Sequence, residues 1–313
     1  MPTHTSPSTF ASLSFHWTDK LRFINFPAAA QTSIAEQIRA SWPRGIQKEQ
    51  VYAQHAYEYK LKGRPFGASG AKEAVGSRRL VRDILALLHR SGWVLLTPVS
   101  HNRQAGSKDT LIFRRQRVVR QDEEGQEGMA VDSGGKGDVL VPPPVDWLVI
   151  APARGDRLRV ICDKPVWRDG TGAGGGPVKQ EEEEEDDDDD DDEEEEKGGR
   201  ASSASRSHDH DELGVLIRAL KQAFAELDYF QSGQWTYDSF EFKLKGFPWA
   251  AVGDKRVKAE RLLLAVVETL DGFGWRSYAT VRQRSESEDV RKADTWLFVR
   301  EEGWVHGSPF NGE

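Results

Sequence analysis

Two ten-residue segments put charge where it could do chemistry: YEYKLKGRPF at 57–66 and FEFKLKGFPW at 240–249. Each alternates aromatic or aliphatic residues with charged ones. On a strand, Glu58, Lys60 and Lys62 therefore share one face, as do Glu241, Lys243 and Lys245. Two lysines at that spacing can hold a phosphate or a carboxylate. The same pattern also builds an ordinary solvated face, with cross-strand Glu–Lys pairs of about 0.2–1 kcal/mol each. Both segments keep Lys-x-Lys where many neighbouring positions differ, which favours binding.

A second cationic group follows each segment. The stretch after Pro65 carries Arg78, Arg79 and Arg82, and the stretch after Pro248 carries Lys255, Arg256, Lys258 and Arg261. Cations near a helix N-terminus can hold an anion. Arg79, Arg82, Lys258 and Arg261 thus join the four strand lysines as candidate anion- or partner-binding residues. GASGAKEAVGS (67–77) lacks the Gly-Lys-Ser/Thr ending of a phosphate loop, so nucleotide binding is not expected.

The remaining groups point to structure more than to chemistry. Asp19 with Arg22, and Asp156 with Arg159, suit hairpin turns, and the RGD at 154–156 reads as turn chemistry. SHDHDE (207–212) could bind metals weakly but reads as a polar tract. RRQRVVR (114–120) is at most an anion patch or nuclear address. Cys162 has no evident base beside it, and the eight histidines show no zinc-site spacing. No catalytic, cofactor or metal set is read from the sequence.

These residues sit in a duplicated chain. SRRLVRDILALLHRSGW (77–93) matches KAERLLLAVVETLDGFGW (258–275), SKDTLIFRR (107–115) matches KADTWLFVR (292–300), and TDKLRFI (18–24) matches GDRLRVI (155–161). Each copy reads as a hairpin, a helix, the charged strand, a second helix and two closing strands, β-β-α-β-α-β-β. Gly92 and Gly274 suit the left-handed residue after the second helix. The expected class is α+β, two repeats with both helices on one face of a five-stranded sheet. The aromatic side of the charged strand, Tyr57, Tyr59, Phe240 and Phe242, faces the core.

The expected division is 1–12 disordered, 13–115 the first repeat, 116–145 a linker, 146–165 plus 211–300 the second repeat, 166–210 a disordered acidic insert, and 301–313 a tail. The insert holds sixteen consecutive acids at 181–196. Taking those 16 from the 51 acidic side chains leaves 35 against 43 basic ones, so the formal charge moves from −8 to +8. One cysteine, no secretory leader and no long apolar run imply a soluble intracellular protein, cytoplasmic or nuclear.

The combination Asp-[Arg/Lys]-Leu-Arg, FKLKGxPW, Gly-Trp and DTLxF resembles an uncharacterised eukaryotic repeat domain without an assigned activity. That resemblance implies a tandem α+β protein and carries over no catalytic residue. The expected function is a non-enzymatic binding or scaffolding protein whose basic surface meets an acidic partner. An acidic protein is preferred to nucleic acid or anionic lipid, since stacking aromatics fall on the core side. The alternative is an enzyme with its site between the repeats.

Overall fold

The computed structural model describes residues 9–67, 70–100, 108–115, 140–162, 206–283 and 294–305. The acid run, most of the linker and the extreme termini lie outside the described residues.

The first repeat runs β1 (Phe10–His16), β2 (Lys20–Ile24), α1 (Ala28–Ser41), β3 (Ile46–Ala53), β4 (Ala56–Leu61), α2 (Ala71–Arg90), β5 (Trp93–Val99) and β6 (Thr110–Arg115). The second runs β7 (Val145–Ala153), β8 (Arg157–Cys162), α3 (Arg206–Glu226), β9 (Phe230–Thr236), β10 (Ser239–Leu244), α4 (Asp254–Gly272), β11 (Arg276–Val281) and β12 (Thr295–Glu301). The sheets have orders β3-β4-β2-β1-β6-β5 and β9-β10-β8-β7-β12-β11, the same order in both copies, with every pairing antiparallel. YEYKL and FEFKL occupy the same position in their sheets.

Each sheet has six strands, not the expected five. The additional strands are β3 (IQKEQVYA) and β9 (FQSGQWT), both polar edge strands with almost every side chain exposed or half-buried. An edge strand with little to bury shows no clean apolar alternation. Four element bounds also differ from the expected division: β1 begins at Phe10, β7 at Val145 and α3 at Arg206, and β12 ends at Glu301.

The motif glycines have a backbone reason. Gly63 and Gly246, which close Lys-Leu-Lys-Gly, have φ of 80° and 68°, the left-handed region that a side chain resists. Gly92 and Gly274, at φ 80° and 76°, turn the chain out of α2 and α4 into the next strand.

The largest departure from two independent repeats is α2. One side of α2 packs Leu80, Ile84 and Leu88 into the first repeat. Val75, Val81 and Leu85 belong to the same continuous core, which also includes Trp147, Val149, Ala151, Ile161, Ala279, Val281 and Leu297 of the second sheet. The second sheet is thus buried on both faces, by α3 and α4 on one side and by α2 on the other. Polar contacts fasten the junction. Arg79 donates to the Asp238 carboxylate at 3.0 Å and to its carbonyl at 2.6 Å, and Gln283 donates to Ser77 at 3.1 Å. The amide of Arg282 donates to the Asp109 side chain at 2.7 Å, and the amide of Asp109 returns a bond to the Arg282 carbonyl. Tyr278 stands at a bulge between β11 and β12, stacks edge-on against Trp147 and His89, and accepts from the Leu95 amide. Its burial raises its pKa to about 12. No described helix is long and apolar enough to cross a membrane.

Candidate functional site

The outer face of the first sheet, away from α1 and α2, is ordered in rows by strand register. Lys48 of β3 lies opposite Lys60 of β4, Lys60 opposite Lys20 of β2, and Lys20 opposite His16 of β1. The next row is Gln50, Glu58, Arg22, Ser14 and Thr110. Three lysines in directly paired positions repel one another, a cost that a bound anion would relieve.

Glu58 anchors this face. Its carboxylate accepts from Lys20 at 3.1 Å, from Arg22 at 2.8 Å and from Gln50 at 3.3 Å, and Arg22 stacks 3.7 Å over the Tyr52 ring. Burial pushes the Glu58 carboxyl up, but the bonds and charges of Arg22 and Lys20 outweigh it and hold the pKa below its ordinary value. Lys60 is less committed, 3.8 Å from Asp19, and Lys48 is exposed. Burial first, and then the Arg22 charge, hold His16 down at about 4 against the opposing pull of Glu58, with Lys108 and Lys20 adding less, so it stays neutral and bonds Ser14 at 2.8 Å. Trp17, in the hairpin at the end of the lysine row, is 79% exposed, its carbonyl held by Lys108 at 2.6 Å.

The second sheet repeats the anchor. Glu241 accepts from Arg157 and, at 2.6 Å, from Arg159, with Gln234 opposite it on β9. The corresponding row there reads Ser232, Lys243, Arg157 and Ala153, two cations instead of three. The Asp-x-Leu-Arg hairpin and the charged strand are therefore one cluster, Arg22 with Glu58 and Arg159 with Glu241. The sequence signal was the joint retention of both segments, although Asp19 and Arg22 read as turn residues.

The candidates named from sequence fall in different places. Lys60 stands in the open row. Lys62 is exposed just past the end of β4. Lys243 is half-buried beside Arg157, and Lys245 is paired with Asp228. Arg79 is held by Asp238 at the junction of the repeats, and Arg82 is 5% exposed and bonded to Asp83. Lys258 lies 5.0 Å over the Tyr229 ring, and Arg261 is exposed on α4. The eight therefore do not form one site. Lys20, Lys48 and Trp17 were not singled out from sequence. On the core side, Tyr59 and Phe242 are fully buried, with the Tyr59 hydroxyl donating to the Gln31 carbonyl at 2.7 Å.

A cavity of about 80 Å³ opens elsewhere, within the second repeat, lined by Trp147, Cys162, Leu216, Trp275 and Arg300 among others. Arg300 there is bonded to Glu212 at 2.8 Å and Asp146 at 3.1 Å and lies over Trp275, an arrangement that ties α3 to the sheet. Among the described residues, no group of three or more metal-binding side chains converges.

A family model matches the chain twice, over residues 9–114 and 208–299. The chain belongs to that uncharacterised repeat-domain family. The second match begins at 208, and β7 and β8, on the far side of the 163–205 stretch, hold in the second sheet the places that β1 and β2 hold in the first. No curated protein and no solved structure matches the chain.

Proposed function

We propose that the chain is a non-enzymatic tandem binding protein whose open first-sheet face takes an acidic polypeptide. The observation that supports this reading is an asymmetry between the copies. Around β7, β11 and β12 the outer face of the second sheet is apolar and covered by α2, and its corresponding row keeps two cations, Lys243 and Arg157, whereas the first sheet carries three, Lys48, Lys60 and Lys20, on a face that α2 does not cover. Carboxylates of an extended partner would replace water along that row. Trp17 at its end supplies an exposed aromatic anchor of the kind that dominates interface energetics.

Replacing Lys20, Lys48 and Lys60 together by Gln is expected to weaken binding of a labelled polyglutamate at least tenfold, about 1.4 kcal/mol. The same change should cost about 1–2 kcal/mol of stability, mostly through the pair of Lys20 with the nearly buried Glu58, so a melting curve accompanies the binding measurement. Replacing Lys243 and Lys245 should alter binding less. Unchanged polyglutamate affinity in the triple variant would remove the face from consideration.

The acid run at 181–196 is the chain's own candidate modulator. Tethered to a body of formal charge +8, it competes for the lysine row at an effective concentration of about millimolar. Deleting it is expected to raise affinity for polyglutamate and for heparin, most strongly at low salt, where screening beyond ~8–10 Å is weakest. Equal heparin elution of the full chain and the deletion would end the modulation.

A further inference from the structure

The junction between the repeats has two halves, and each half occurs a second time in the chain without a described occupant. The first half is a helix face. Val75 and Leu85 of α2 are buried at 1% and 0% in the shared core, and Arg82 beside them at 5%. At the same repeat positions α4 carries Val257, Val267 and Leu264, exposed at 62%, 49% and 67%. The second half is a sheet face. Trp147, Ile161, Val281 and Leu297 lie in the core that α2 shares. Phe10, Ile24, Val99 and Ile112 hold the same register positions on the first sheet, with Phe10 at 48% exposure and Val99 at 37%.

We propose that α4 of one molecule docks on the outer face of the first sheet of a second copy, repeating between chains the contact that α2 makes within one. The two surfaces are different and complementary, so the contact is head-to-tail and leaves a free half at each end. Stacked repeats that bury a continuous core behave in this way, each unit contacting only its neighbours.

Charge supports the pairing. Asp271 of α4 replaces His89, which stacks on Trp147 at the junction within the chain. In the contact between chains, Asp271 meets the position of Phe10, whose cross-strand partner is the exposed Arg114. The corresponding partner of Trp147 is the apolar Val299. Both members of the contact have thus changed together, from histidine and valine to aspartate and arginine. The sheet half is also more polar, with Ser12 and Ser14 where the second repeat has Val149 and Ala151. That change favours a reversible association over a permanent one.

The experiment is sedimentation velocity of the full chain from about 1 to 100 µM, the range of weak specific complexes. Wild type is expected to show concentration-dependent species larger than a monomer. Leu264→Glu with Val267→Glu on α4, and separately Phe10→Glu with Arg114→Glu on the sheet, should each leave a monomer across this range. Mixing the two variants should restore one species of two chains and nothing larger, because one good helix face then meets one good sheet face. All four positions are exposed, and circular dichroism checks that both variants remain folded. A wild-type monomer throughout overturns the inference, as does association that both variants leave intact. Polyglutamate binding is read on the same samples, so the lysine row can hold its ligand even if self-association is absent.

Discussion

Leu85→Asp is expected to unfold the shared core, whereas Val267→Asp at the same position of the second repeat should be nearly silent in a monomer. Leu85 is fully buried among residues of both repeats. A carboxylate at that position would be buried in an apolar core, and burying a charge in this way is among the few changes that cost more than about 4 kcal/mol. Leu85→Ala, which adds no charge, should still cost about 2–5 kcal/mol. Val267 is half exposed on the outer side of α4, where substitutions usually stay within about 0.5 kcal/mol. Urea denaturation followed by tryptophan fluorescence reads both. Similar midpoints for the two aspartate variants would mean that α2 does not serve both sheets. Because α2 belongs to one repeat and covers the other, Leu85→Asp should lower the stability of both together.

The second large effect is expected at Glu241. Its side chain is 3% exposed and is bonded to Arg159, itself 6% exposed. Glu241→Gln leaves that guanidinium without its counter-charge, and breaking a buried pair in this way costs about 3–5 kcal/mol. Glu58→Gln should cost less, nearer 1–2 kcal/mol, because Arg22 and Lys20 retain 18% and 27% exposure and can turn to water. The Glu58 pKa is depressed in the folded state, so its contribution is present above its ordinary value of 4.5 and is lost as pH falls through the lower folded value. An acid titration of wild type should therefore lose stability just below pH 4.5, and Glu58→Gln should flatten that limb. Equal losses for the two glutamine variants at neutral pH would contradict the unequal burial of their partners.

The duplication, the α+β class, and the inward aromatic and outward charged sides of the motif strand were all legible in the sequence. They rest on local alternation and on segments written twice. The edge strands β3 and β9 were not legible, because QKEQVY and QSGQW bury almost nothing and so carry no period. The sharing of α2 leaves traces in the sequence. Val75, Val81 and Leu85 add a second apolar stripe beside Leu80, Ile84 and Leu88, and a helix apolar on two sides is buried on two sides. Arg78 and Arg82, interleaved on that stripe, made it look solvated. The run Trp147–Ala151 is apolar without alternation, the pattern of a strand covered on both faces, whereas β1 alternates Ser12 and Ser14 with Leu13 and Phe15. The lysine row was half legible. Lys60 came from the motif, but Lys48 and Lys20 join it only through the register of three strands distant in sequence.

The most direct test of the binding face is a lysine-resolved titration. Reductive dimethylation with ¹³C retains each ammonium charge, and Lys→Arg replacement assigns the signals. On adding polyglutamate, the signals of Lys20, Lys48 and Lys60 are expected to move together and to saturate with one affinity. Lys245, paired with Asp228, and Lys243, beside Arg157, should shift little. Saturable polyglutamate binding that leaves Lys20, Lys48 and Lys60 unmoved would contradict the assignment of this face.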